Sequence, residues 1–193
     1  MEKDLAVYLR PELYMDKKTV TDTEIFAQIF DRFYKRIYNY IRYRIDSPEE
    51  AEDLSSQVFE QVLRKYDTYR PEKAPFEVWL FAIAHNAVTD YHRKRKHSLW
   101  LSLDKVKELI SGRPTPEEAC LREENRHELL LALAKLGDRE RNIIAMRFAA
   151  NLKNREIASL LGISENNVGI IVYRALRQLR EILATKEGNH ERV

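Results

Sequence analysis

The stretch Asn154-Arg-Glu-Ile-Ala-Ser-Leu-Leu-Gly-Ile-Ser-Glu-Asn-Asn-Val168 decides how this chain folds. Ala158 is small where two crossing helices would touch, Gly162 supplies a permissive backbone for a tight turn, and Val168 falls where a second helix must plug the first. Together these positions spell a helix-turn-helix. Ser164 can cap the second helix, whose inward stripe is then Val168, Val172, Ala175 and Leu179. That stripe turns Glu165, Asn166, Gly169, Ile170 and Tyr173 outward on the first turns, the part of this motif that enters a major groove. Asn166 can bond an adenine edge bidentately and Ile170 can touch a thymine methyl. Arg174, Arg177 and Arg180 extend a basic edge suited to phosphates, which position a protein without specifying sequence. The competing reading is a helical hairpin that only packs, but such a hairpin gives no reason for an exposed polar and basic second helix.

Upstream of this motif the helical signals continue. Thr115-Pro116-Glu117-Glu118 reads as a capping box opening a helix with Leu129, Leu130, Leu133 and Leu136. Gly137 ends that helix, and Asp138 is placed to cap the next, with Ile143, Ile144, Met146 and Phe148. Before Ser-Gly-Arg-Pro-Thr-Pro lies a separate helical lobe. Ile25, Phe26, Ile29, Phe30, Phe33, Ile37, Ile41 and Ile45 recur three and four apart, one apolar stripe ending near Asp46. Ser47-Pro48-Glu49-Glu50 is a further capping box: Ser47 accepts a backbone N–H and Glu50 is expected to reach back. The helix it opens buries Ala51, Leu54, Val58, Val62 and Tyr66 and leaves Asp53, Gln57 and Glu60 on another face. A loop over 69–75 leads to a third helix, from Phe76 to about Lys96.

The expected fold is therefore all-α: two small helical domains, residues 23–96 and 116–185, joined by a linker over 97–115. Residues 1–22 form an extension without periodicity, and 186–193 a tail. Five glycines in 193 residues, and four of six prolines (Pro48, Pro75, Pro114, Pro116) near helix starts, agree with this class. The longest apolar run, Val78 to Ala84, is far short of the roughly 20 residues of a membrane span. Met-Glu-Lys-Asp lacks the basic-then-apolar plan of a secretory signal, so a cytoplasmic location without membrane insertion is expected. A single cysteine, Cys120, excludes an internal disulfide and reads as a packed helical residue. His85, His92 and His97 lack a carboxylate or Cys partner at ligand spacing, so no metal and no cofactor is expected. No nucleophile-base set or Gly-rich phosphate loop is present, and the chain does not read as an enzyme.

The formal charge of +2 hides a concentration of positive charge: Arg93, Lys94, Arg95 and Lys96 end the third helix, with Asp90 the one acid between His85 and His97. Aromatic residues surround the preceding loop. Aromatic faces beside a basic stripe suit single-stranded nucleic acid, where stacking is worth roughly 1–3 kcal/mol per base. Trp79 and Tyr66 read more readily as core residues, whereas Tyr69, inside the loop, is the candidate for exposure.

Taken together, the two lobes resemble bacterial RNA polymerase sigma factors, specifically the extracytoplasmic-function group that keeps only the second and fourth regions. AEDLSSQVFEQVLRKYDTY and FEVWLFAIAHNAVTDYHRKRK carry the resemblance in the first lobe, LLLALAKLGDRERNIIAMRFA and REIASLLGISENNVGIIVYRALRQLR in the second. The resemblance implies that Asp53, Gln57 and Glu60 meet the clamp of the polymerase's largest subunit, while the second lobe meets the flap of the second largest. It implies that the loop 68–75, with Tyr69, holds a base flipped out of the minus-ten element, at a cost of a few kcal/mol to be offset there. Asn86 would read a base edge, and Arg93 and Arg95 would hold phosphates. Ser164, Glu165, Asn166, Gly169, Ile170, Tyr173, Arg174 and Arg177 would face the minus-thirty-five element. An anti-sigma partner is a family expectation that no residue here encodes. The alternative is a free-standing helix-turn-helix regulator that acts without core polymerase.

This sequence departs from the group's pattern in three places. His85 stands where the group often has Arg, which makes charge there pH-dependent. Asn167-Val168-Gly169-Ile170-Ile171 replaces Thr-Val-Lys-Ser-Arg, removing two basic side chains from the groove-facing turn. Gly169 also costs roughly 1 kcal/mol against Ala in a helix interior, which implies close backbone approach to DNA or a looser helix. Lys153 stands where a capping Ser is common, so Asn154 or Asn151 is expected to cap.

Overall fold

The computed structural model describes residues 22–101 and 117–190, and every α-helix expected from periodicity within them is present. The extension before residue 22, most of the linker, the Thr115-Pro116 cap, the side chain of Cys120 and the last three residues lie outside that description. The first domain consists of α1 (Asp22–Arg44), α2 (Pro48–Lys65), a single 3-10 turn (Tyr66–Thr68) and α3 (Phe76–Leu101). The second consists of α4 (Glu117–Leu133), α5 (Asp138–Ile144), a π-helical turn (Ala145–Ala149), α6 (Asn154–Leu161) and α7 (Glu165–His190). Two helices outrun their expected ends. Through α3 the basic run continues as helix into the expected linker, since Arg, Lys and Leu are good helix formers and no breaker intervenes. Likewise α7 continues into the expected tail.

Local chemistry places most boundaries. Ser47 caps α2, its Oγ accepting the Glu50 N–H at 3.2 Å, with Pro48 in the first turn. Glu50 does not reach back as expected, because its carboxylate accepts the Tyr91 hydroxyl across the domain at 2.6 Å. At α5 the cap is Gly137, in extended conformation, and Asp138 is the first helical residue, where its charge complements the helix dipole instead of capping. The N-terminus of α6 also corrects the expectation. Lys153 occupies the cap position without a side-chain cap bond, and the Glu156 carboxylate accepts the Lys153 N–H at 2.7 Å. Asn151 takes a left-handed turn conformation (φ 55°), and Asn154 Oδ1 caps nothing and has no partner among the described residues. Gly162 ends α6 with φ 66° and ψ 34°, a left-handed conformation in which any Cβ is strained.

The apolar stripe of α1 is the spine of the fold. Phe33, Ile37 and Ile41 are fully buried, packed with Val58 and Val62 of α2 and Leu80, Phe81 and Ala84 of α3. This core does not stop at the domain boundary: Ile143, Met146, Leu152 and Ile157 of the second domain belong to the same buried cluster. A smaller cluster (Leu133, Leu136, Ile144, Ala175 and Leu179) holds α4, α5 and α7 together.

Candidate nucleic-acid interface

The helix-turn-helix forms as its spacing requires. Ile157 and Val168 are fully buried where α6 and α7 cross, and Ala158 is nearly so. Ser164 caps α7, its Oγ accepting the Asn167 N–H at 3.2 Å, so its side chain is engaged in helix initiation. Val168, Ala175 and Leu179 point inward with Val172 half-buried, which leaves Glu165, Asn166, Ile170, Tyr173, Arg174 and Arg177 exposed on one outer face. Tyr173 is 69% and Ile170 41% exposed, one helical turn apart on this face. Arg177 pairs loosely with Glu181 at 3.5 Å, and both side chains remain in solvent. Gly169 is half-buried within regular helix, where an added Cβ would meet only Asn154 Nδ2 at 3.9 Å.

In the first domain, Asp53, Gln57 and Glu60 are all exposed on the outer side of α2, with Leu63 beyond them, a large apolar side chain 57% exposed. Of these polar groups, Glu60 makes an exposed pair with Arg64 at 3.4 Å. None of the three supports the core, so the fold leaves this face available.

The basic end of α3 is likewise in solvent. Asn86 is exposed, as is Arg93, which pairs with Asp90 at 3.0 Å. Arg95 is more engaged: it donates to the Tyr91 hydroxyl at 2.9 Å and lies 3.7 Å from Glu50. Burial, then the hydrogen bond to Glu50, pushes the Tyr91 hydroxyl up to about 12, so it stays protonated. Tyr69 corrects the sequence reading. It is 6% exposed, its hydroxyl donates to the Ala74 carbonyl at 3.1 Å, and its ring packs against Phe76 and Trp79 at centroid distances of 5.4 and 5.2 Å. A loop position predicted exposure, but the loop folds inward and Tyr69 becomes its anchor. Trp79 is half-buried and packs against the core, as expected.

His85 is half-buried. Burial, then the neighbouring Arg44 guanidinium, lowers its pKa, partly offset by a hydrogen bond with Asn142. Its Nδ1 lies 3.3 Å from the Tyr40 hydroxyl. His92 is lowered for the same two leading reasons. Both imidazoles are therefore held towards the neutral form.

Sequence reasoning missed one set of residues altogether. Arg36, Tyr40 and Arg44 follow each other at four-residue steps along α1, beside its apolar stripe, and all three reach the second domain. Their spacing was the available signal, but charged residues at helical period read by default as a solvated face. Among the described residues no group of His, Cys, Asp and Glu could hold a metal ion, and no helix is long and apolar enough to cross a membrane.

Comparison with known proteins matches the two lobes separately and in order. Residues 29–98 match Sigma-70 region 2, and residues 126–179 match Sigma-70 region 4. The ECF RNA polymerase sigma factor BldN of Streptomyces coelicolor is 27% identical over 169 residues, covering 88% of this chain. This chain spans 64% of BldN's length. The ECF sigma factor ShbA of Streptomyces griseus is 30% identical over 140 residues, 71% of this chain and 73% of the relative. In fold the chain is similar to the sigma factor RpoE of Bartonella quintana, solved with the anti-sigma factor NepR, with a TM-score of 0.71, 20% identity, and coverage of 83% and 98% of the two chains. Two matched regions in this order, on helices whose polar faces the fold leaves free, have one explanation: the chain belongs to the extracytoplasmic-function group of RNA polymerase sigma factors.

Proposed function

We propose that the chain docks on core RNA polymerase through the outer face of α2, brings α3 to the minus-ten element and α7 to the minus-thirty-five element, and helps open the duplex. The observation that carries this reading is the coincidence of free faces with the matched regions. Asp53, Gln57 and Glu60 of region 2 and Glu165, Asn166, Ile170, Tyr173, Arg174 and Arg177 of region 4 are exposed and make no contribution to the core. Asn86 and Arg93 supply the minus-ten contacts, with Arg95 joining them by exchanging its bond to Tyr91 for a phosphate. Tyr69 acts from beneath the loop, shaping the surface that receives a flipped base. Gly169 lets the α7 backbone approach the groove, and Ser164 sets the start of that helix.

The flap of the second-largest polymerase subunit is the partner of the second domain, and promoter DNA is bound by the assembled enzyme. An anti-sigma protein is a further partner in this reading, supported by the fold similarity to a sigma factor solved with one. The protein acts in the cytoplasm, takes no cofactor and catalyses no reaction of its own. A free-standing regulator is not favoured, because it leaves the region 2 match without a use.

The test is a pull-down with bacterial core polymerase, comparing wild type with Asp53→Ala/Gln57→Ala, followed by run-off transcription on a genomic fragment library. Association lost in the double variant, with discrete new transcripts from wild type, is expected. No association with core polymerase would sink the reading.

A further inference from the structure

The Glu50 carboxylate is not needed by the helix that carries it. Ser47 supplies the side-chain cap of α2, accepting the Glu50 N–H at 3.2 Å, and Glu49 shares the acidic first turn that complements the helix dipole. The carboxylate crosses instead to α3, where it accepts the Tyr91 hydroxyl at 2.6 Å and lies 3.7 Å from Arg95 Nη1. Arg95 Nη1 donates to that same hydroxyl at 2.9 Å. The direction of both bonds is fixed. Arginine only donates, an ionised carboxylate only accepts, and Tyr91 stays protonated, so its hydroxyl accepts from Arg95 and donates to Glu50. Arg93 shows the contrast: it meets Asp90 on its own helix, and its side chain remains 77% exposed. Arg95 is 42% exposed and is held by an acid on another helix, so one cation of the basic run is kept at a set place on the domain surface.

We propose that Glu50 is a built-in competitor for DNA phosphate: with Tyr91 as its bridge it occupies Arg95, and so sets how strongly the end of α3 holds nucleic acid. This rests on the sigma-factor reading above, in which Arg95 exchanges its bond to Tyr91 for a phosphate. An arginine already engaged with a hydroxyl and a carboxylate gains less from a phosphate oxygen than an unengaged one, because charge-assisted contacts are given up as others form. The competition is modest, since the Glu50 and Arg95 side chains are both partly in solvent, and contacts of this kind shift an equilibrium roughly two- to fivefold. Competition on that scale tunes binding without abolishing it. Its consequence is a free chain whose α3 holds stray nucleic acid weakly, and an open complex that releases this helix end readily.

Binding of the full chain to an oligothymidylate single strand across a salt series tests the competition without polymerase, with far-ultraviolet circular dichroism as the folding control. Wild type is compared with Glu50→Gln, Arg95→Gln and the double variant, and with Glu49→Gln, which removes an equal charge one residue away. Glu50→Gln is expected to bind roughly two- to fivefold tighter. Its salt slope should be steeper by roughly 0.7, the mark of one more phosphate contact on a single strand. In the Arg95→Gln background the same change should have no effect, and Glu49→Gln should fall well short of it. Equal tightening from Glu49→Gln, or from Glu50→Gln without Arg95, would show net charge acting at a distance and overturn the proposal. So would no tightening, or no binding of any form at low salt. With core polymerase, Glu50→Gln should prolong the open complex on a cognate promoter by the same factor, and an unchanged lifetime would overturn the promoter role. Failure of every form to bind core would refute the sigma-factor reading, while the single-strand series would still decide whether Glu50 competes for Arg95.

Discussion

Replacing Gly169 by Ala separates two roles for the glycine that breaks the group's recognition-helix pattern. In the structure Gly169 lies five positions into a continuous helix, and among the described residues the only glycine with positive φ is Gly162. A Cβ at 169 meets nothing nearer than Asn154 Nδ2 at 3.9 Å, an ordinary contact, so no steric penalty opposes the change. What remains is the backbone freedom that glycine loses on folding, worth about 1 kcal/mol against alanine in a helix interior. For a chain of this size that gain raises the melting temperature by roughly 2–4 °C. Urea unfolding followed by circular dichroism measures it directly, and run-off transcription from a cognate promoter measures the other role. If Gly169 serves close approach to DNA, the variant becomes more stable while its transcription falls. A variant no more stable than wild type would refute the reasoning, because it would mean that the Cβ space or the helical backbone at 169 is not as described.

Tyr40→Phe removes the donor to buried Asn142 and should cost roughly 1–3 kcal/mol of stability in urea titrations; a loss under about 0.5 kcal/mol would mean that the bond contributes little. At Tyr69, Phe should cost about 1 kcal/mol through the lost bond to Ala74, whereas Ala should cost about 3–5 kcal/mol through the cavity, with promoter opening falling in step with stability. Were Tyr69→Ala to leave stability intact, the inward position of the loop would be wrong. The depressed pKa values of His85 and His92 mean that the unfolded chain binds more protons below their usual value of 6.5. Stability should therefore be full above that pH and decline as pH falls below it, since protonation puts a charge into a buried place beside Arg44, with Arg141 and Arg95 also near His92, opposed only in part by the Asn142 hydrogen bond at His85 and by Asp138 at His92. Chemical denaturation at pH 7.5 and 5.5 checks the sign, and His85→Gln/His92→Gln should flatten the dependence.

Much of this molecule is written in local patterns. A helix shows itself through apolar residues three and four apart, and α1, α2 and α7 all lie where that period puts them. A turn shows itself through a residue type that only it tolerates, as Gly162 does at φ 66°. Exposed polar positions on those helices follow by subtraction, which is why Asp53, Gln57, Asn166 and Tyr173 are found on the surface where the pattern puts them. The corrections share a cause: Tyr69 and Glu50 are read from their own segments, but each is decided by a residue distant in sequence or by how a loop folds back, Ala74 and Trp79 for Tyr69 and Tyr91 for Glu50.

The same division separates the two levels of the whole protein. Period, capping residues and the small-turn-apolar spacing of the helix-turn-helix act over one or two turns of chain, so the sequence alone determined the helices, the two domains and the family they resemble. Whether Arg36, Tyr40 and Arg44 face water or a second domain depends on groups 94 to 114 residues away, and on two apolar surfaces combining into one core. No local pattern encodes such a meeting, because helical spacing states only which residues share a face. What that face touches was decided by the tertiary structure, where burial makes an unpaired arginine or amide costly and a matched carbonyl worth reaching.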